Sequence, residues 1–166
     1  MQVRSRICAG LGRRTAVVNW KLVRSACAFA ALAGTAPAAA FEFRSVAENA
    51  AVLYDAPSAK SRKLYVVNRG YPLEVVVAVE GWSKVRDANG DLTWIEHKHL
   101  AEKRTVMVKV PLAQVRERAD ENAPLVFQAQ RDVIFDLLEV AAGGWLHVRH
   151  RDGAAGFIRV TQVWGV

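Results

Sequence analysis

Apolar and polar positions alternate in strand rhythm through the middle of the chain. LEVVVAV at 73–79 is rich in β-branched residues and lies between GYP and EGW, as a strand between turn residues does. WSKVR at 82–86 and LTWIE at 92–96 alternate, with DANGD between them. Asn-Gly between two alternating runs predicts a hairpin, because both residues tolerate positive φ. Further on, VIFDLLEV, WLHVR, RDGAAG and FIRV follow in the same order. Helical periodicity is weak. The best helix candidate is VAENAAVLY at 46–54, and the Asp-Ala-Pro after it argues for a turn instead.

The pattern is a repeat. A shift of 63 residues carries Trp82 to Trp145, Val85 to Val148, Arg86 to Arg149 and Gly90 to Gly153. The same shift carries Trp94 to Phe157, Ile95 to Ile158 and Leu100 to Val163. A constant offset over so many positions marks internal duplication. Each unit of ~60 residues has the size of one very small domain. The expected architecture is all-β, two tandem small barrels of short strands. They are placed at residues 43–104 and 113–166, with 105–112 as a linker interrupted by Pro111.

Strand parity sorts the side chains. Val85 and Ile95 point into the core, which puts Trp82, Lys84 and Arg86 on the opposite face together with Trp94. Trp145, Arg149 and Phe157 take the matching places in the second copy. Two readings of these rings stay open. Tiny barrels use large rings to seal their ends, and the same rings exposed beside cations form a ledge for a ligand. The ligand reading favours the first copy, with Trp82 and Trp94 meeting on the outside of one hairpin, Lys84 and Arg86 beside them, and Tyr71 extending the ledge.

Charge changes the picture of partners. The chain carries a formal +7, yet residues 1–40 hold six of its 23 Lys and Arg and no acid. The rest carries 17 basic against 16 acidic residues, so the electrostatic case for nucleic acid disappears. The basic start is followed by the apolar run ACAFAALAG at 26–34 and small residues at Ala38 and Ala40. That order describes a signal peptide over residues 1–40, and the run is too short to span a bilayer. Both cysteines, Cys8 and Cys27, lie inside this leader. The expected product is periplasmic and free of disulfides.

GYPLEV followed by GWSKVRDANGDLTWI resembles the bacterial SH3-like domains, whose pattern runs Gly-x-x-Leu-x-Val, Gly-Trp-x-x-Val, Gly-x-x-Gly-Trp-Val. The resemblance covers nearly all of 43–166 as two copies, and the ending QVWGV is similar to the tail of exported tandem proteins of this kind in Gram-negative bacteria. It implies five- to six-stranded, partly open barrels with a non-catalytic binding role, commonly for cell-wall peptides or protein partners. Two departures stand out. Thr93 replaces the Gly that the second copy keeps as Gly156. The second copy also has Arg131-Asp132 where the first has Arg69-Gly70, so its turn before the long strand is expected to be built differently.

Catalytic chemistry finds little support. His97 and His99 would share one side of a strand and could share a metal, but no motif places a third ligand. His147 and His150 lie in the other unit. There is no phosphate loop and no G-x-S-x-G, and Asp87, Asp91 and Asp152 sit in turns where Asp has a structural role. No catalytic residue, cofactor or metal is therefore expected. The expected partner is peptidoglycan or its peptide stems, or else another envelope protein, with a small hydrolase as the remaining reading.

Overall fold

The computed structural model describes residues 42–166. The expected signal peptide lies outside the described residues. The first half contains β1 (Glu42–Val46), β2 (Ala51–Tyr54), β3 (Lys63–Val67), β4 (Pro72–Val79), β5 (Trp82–Arg86), β6 (Leu92–Glu96) and β7 (Leu100–Ala101). The second contains β8 (Thr105–Val108), β9 (Leu112–Arg116), β10 (Leu125–Gln130), β11 (Ile134–Ala141), β12 (Trp145–Arg149), β13 (Ala155–Arg159) and β14 (Val163–Trp164). Both sheets are antiparallel, with orders β3-β2-β6-β5-β4-β1-β7 and β10-β9-β13-β12-β11-β8-β14. Adding seven to every label of the first order gives the second. The duplication read from the sequence is a duplication of topology.

Each sheet encloses its own core. Val46, Ala51, Leu53, Leu73, Val85 and Ile95 form the first, and Val67 and Leu100 pack against it from strands at opposite ends of the sheet order. A single sheet whose two ends reach one cluster must curl on itself. The second core is larger, with Phe135, Leu146, Val148 and Ile158 among its members. Val85 and Ile95 are fully buried, as their parity requires. Matching bulges bend the long strands. The register of β4 on β5 slips between Val75 and Val77, and that of β11 on β12 between Leu137 and Glu139. Bulges increase local twist and help a sheet turn a corner.

Four expectations need correction. Each sheet has seven strands where five or six were expected, although β7 and β14 are only two residues long. Residues 105–108, expected within a linker, form β8 and pair with both β11 and β14. TVMV is buried at all four positions, so its apolar run is explained by core packing. The segment 46–54 is neither helix nor plain turn. It is the end of β1, a turn with Ala50 at φ 61°, and β2.

The fourth correction concerns the turn before the long strand. Gly70 has φ 83° and Asp132 has φ 69°. Gly70 N–H donates to Val46 O at 2.8 Å, and Asp132 N–H to Val108 O at 2.9 Å. The two turns are the same. Asp is among the few residues that visit the left-handed region at modest cost, so it substitutes for glycine there. One true difference lies just beyond. Glu80-Gly81 joins β4 to β5, whereas Ala142-Gly143-Gly144 joins β11 to β12. That extra residue is why the offset is 62 before this loop and 63 after it.

The left-handed requirement is testable. Gly70→Ala is expected to cost about 1 kcal/mol in urea unfolding. Asp132→Gly should change stability by less than about 0.5 kcal/mol. Equal losses at both positions would contradict the equivalence of the turns.

Candidate functional site

The outer face of the β5–β6 hairpin carries the expected residues, but it divides them. Trp82, Lys84 and Trp94 are half-buried and share this face. Lys84 stands opposite Trp94 in the register, with its Nζ 6.0 Å from the ring centroid. Trp82 does not stack on Trp94. It packs edge-on to Tyr54, centroids 5.3 Å apart at 86°, and Tyr54 stands opposite Trp94 where β2 meets β6. Tyr54 is therefore the buried ring that links the two tryptophans. Strand parity in AVLY, with Leu53 inward and Tyr54 on the other face, was the available signal.

Arg86 and Tyr71 leave this group. The Nη1 of Arg86 donates to both carboxylate oxygens of Glu74 at 3.0 Å, and the Glu74 side chain is only 7% exposed. Arg86 thus keeps a buried carboxylate compensated. Tyr71 packs against the first core cluster. Burial pushes its phenol up from the ordinary value, and Asp87 and Asp132 nearby act in the same direction. Tyr71 is a core ring beside the β5–β6 turn, so it does not extend the ledge. That turn is held by Asp87, whose Oδ1 accepts the N–H groups of Asn89 and Asp91 at 2.9 Å each.

The second copy covers the tryptophan of the same face. Trp145 is 5% exposed and is covered by Arg159, whose guanidinium carbon lies 4.3 Å from the ring centroid. Arg159 is in turn fixed by Glu121 and by Gly143 O, the latter at 2.8 Å. Phe157 stacks on His147, centroids 4.7 Å apart at 13°. Arg149 lies away from these rings, 3.7 Å from Asp136. At the position of Tyr54 the second copy has Arg116, which faces Phe157 in the register. The family departure at Thr93 has a local reading too. A Cβ on Gly156 would come within 2.6 Å of Arg116 O, whereas Thr93 is buried in its copy and its Oγ1 has no hydrogen-bond partner.

The histidines are apart. His97 and His99 sit in a short 3-10 turn between β6 and β7, where His99 pairs with Glu48. His150 Nδ1 lies 2.9 Å from Asp152. Among the described residues no three His, Cys, Asp or Glu side chains gather into a metal-binding group. Asp152 Oδ1 accepts the Ala154 N–H at 2.9 Å. That bond, with His150 beside it, lowers the Asp152 carboxyl below its usual range. No helix among the described residues is long and apolar enough to cross a membrane.

The bacterial SH3 domain model matches residues 47–102 and again 109–165. The chain belongs to the bacterial SH3 domain family, with two tandem domains. No curated protein matches the chain. Among solved structures, NlpC2 from Trichomonas vaginalis is similar at 14% identity and TM-score 0.35, over 75% of this chain and 47% of that one. NlpC1 from the same organism gives 16%, 0.35, 75% and 45%. An NlpC/P60 family protein from Bacillus cereus gives 15%, 0.34, 74% and 55%. The chain thus spans about half the length of these proteins.

Two predictions follow from the reassigned residues. Arg86→Ala should destabilise by about 2 kcal/mol, because it leaves Glu74 charged and buried without its partner. Adding Glu74→Gln should recover part of that loss in chemical denaturation. For Tyr71, the raised folded value means its contribution is fully present below the free phenol value of about 10 and is lost as pH rises through the folded value. Tyr71→Phe should therefore flatten the alkaline fall in stability measured between pH 9 and 11, taken as roughly the phenol range.

Proposed function

We propose that this chain is an exported, periplasmic, non-catalytic binding module. It holds peptidoglycan, through its peptide stems, on the open face of the first domain. The observation that carries the reading is the asymmetry between the copies. One fold position is a half-exposed Trp82–Trp94 platform with Lys84 over it in the first domain. In the second, Trp145 is sealed by Arg159 and Glu121, and Phe157 is stacked on His147. An unsealed platform of flat rings beside a cation suits extended peptides that carry carboxylates. The family to which the chain belongs supports a binding role, and the order of basic, apolar and small residues in 1–40 supports export.

Co-sedimentation with purified sacculi tests it. Trp94→Ala and Lys84→Glu should each weaken retention by about tenfold, roughly 1.4 kcal/mol, with the melting temperature nearly unchanged. Trp82→Ala should instead lose about 2 kcal/mol of stability, because its ring also packs on Tyr54. Undiminished retention by a folded Trp94→Ala variant would sink the site. Failure of the native protein to sediment, with capture of a periplasmic protein lost in Trp94→Ala, would favour the envelope adaptor.

A further inference from the structure

The two domains meet along a seam, and one side of it is a cleft of about 1300 Å³. Residues 45–47, 49 and 68–70 of the first domain form one wall, and residues 132–134, 136 and 150–151 of the second form the other. The seam is fixed by direct contacts. Thr105 Oγ1 donates to Gly70 O at 2.6 Å, and Phe43 packs edge-on to Trp164 with centroids 5.3 Å apart. The walls of the cleft are therefore set by packing.

The charges lining it are unequal in what they have left to bind. Asp136 is satisfied by Lys103 Nζ at 2.6 Å and Arg149 at 3.7 Å. His150 faces Asp152. Arg69 and Arg151, one from each wall, have no ion-pair partner among the described residues. Asp132 is the lining carboxylate without one. The lining thus holds two unpaired arginines against one unpaired carboxylate, and guanidinium forks bind carboxylates through paired N–H groups. The space exceeds the range of about 300–1,000 Å³ usual for small ligands. Asn68 adds a side-chain amide, and Asn49, whose Oδ1 accepts the Arg69 N–H at 3.3 Å, adds its amide N–H groups, which match the groups of a peptide backbone.

We propose that the seam cleft binds an extended acidic peptide segment, whose Asp or Glu carboxylates pair with Arg69 on one wall and Arg151 on the other. This site is separate from the aromatic face, and it exists only where both domains are present.

The test uses the whole protein and fluorescein-labelled octaglutamate, read by anisotropy in about 50 mM salt, where charge pairing is weakly screened. Arg69→Glu with Arg151→Glu should weaken binding by about tenfold or more. Lys60→Glu with Arg118→Glu makes the same charge change at exposed positions outside the cleft and should weaken it by less than about twofold. Octaglutamine should not bind, and Trp94→Ala should bind octaglutamate normally. Both arginines are exposed, so the variant should keep its melting temperature; if it does not, the single variants give the same reading. The proposal is overturned by no binding to the native protein, by equal losses in the two double variants, or by a sulfated oligosaccharide of equal charge binding more tightly than the peptide.

Discussion

A lone sheet has no second layer to cover its apolar face. Each domain here meets that constraint by curling one seven-stranded sheet around its own apolar cluster. The rest of the fold follows from that necessity. Bulges at the same place in β4 and β11 supply the bend. Left-handed turns at Gly70 and Asp132 deliver the chain into those long strands. Cores of this size bury little surface, and the described residues contain no cysteine to reinforce them. The seam between the domains supplies further burial, where Gly165 lets the chain of the second domain run so close to Pro72 of the first that a Cβ would fall 3.1 Å from the proline Cβ.

Duplication gave two copies of one surface, and side-chain chemistry made them different. The exposed face of β5 and β6 rests on Tyr54, while Arg116 holds the equivalent place in the second domain. Glu96 follows the first hairpin and pairs with Lys98. Its counterpart Arg159 reaches over Trp145. The change of charge from Glu96 to Arg159, with Glu121 and Gly143 O to anchor the arginine, covers Trp145 where Trp82 stays half-exposed.

Much of this was legible in the sequence. The hairpin, the burial of Val85 and Ile95 and the tandem all-β architecture are local or periodic, and such signals survive in a linear string. What was missed depends on long-range contacts. The role of Arg86 is set by Glu74, twelve positions earlier. The covering of Trp145 is set by Arg159, which Glu121 anchors from 38 positions away. Residues 105–108 read as a connection because Pro111 follows them, yet β11 and β14 claim them as a core strand. Asp132 looked like a different turn because residue type was compared without backbone conformation, and Asp can adopt the conformation that Gly takes more freely.

The identical strand orders have a consequence in time as well as in space. β1 and β8 occupy the same topological slot, each between a long strand and a two-residue strand. A refolding chain must therefore choose between two nearly equivalent docking places for each of these strands. Exchange of similar elements is a characteristic misassembly route in repeat proteins. Here the slots are kept distinct by their neighbours. Phe43 in β1 finds the edge of Trp164, whereas Thr105 at the matching place in β8 donates its hydroxyl hydrogen to Gly70 O. An exchanged pair would forfeit both contacts, so the seam also serves as a proofreader of which first strand belongs to which sheet.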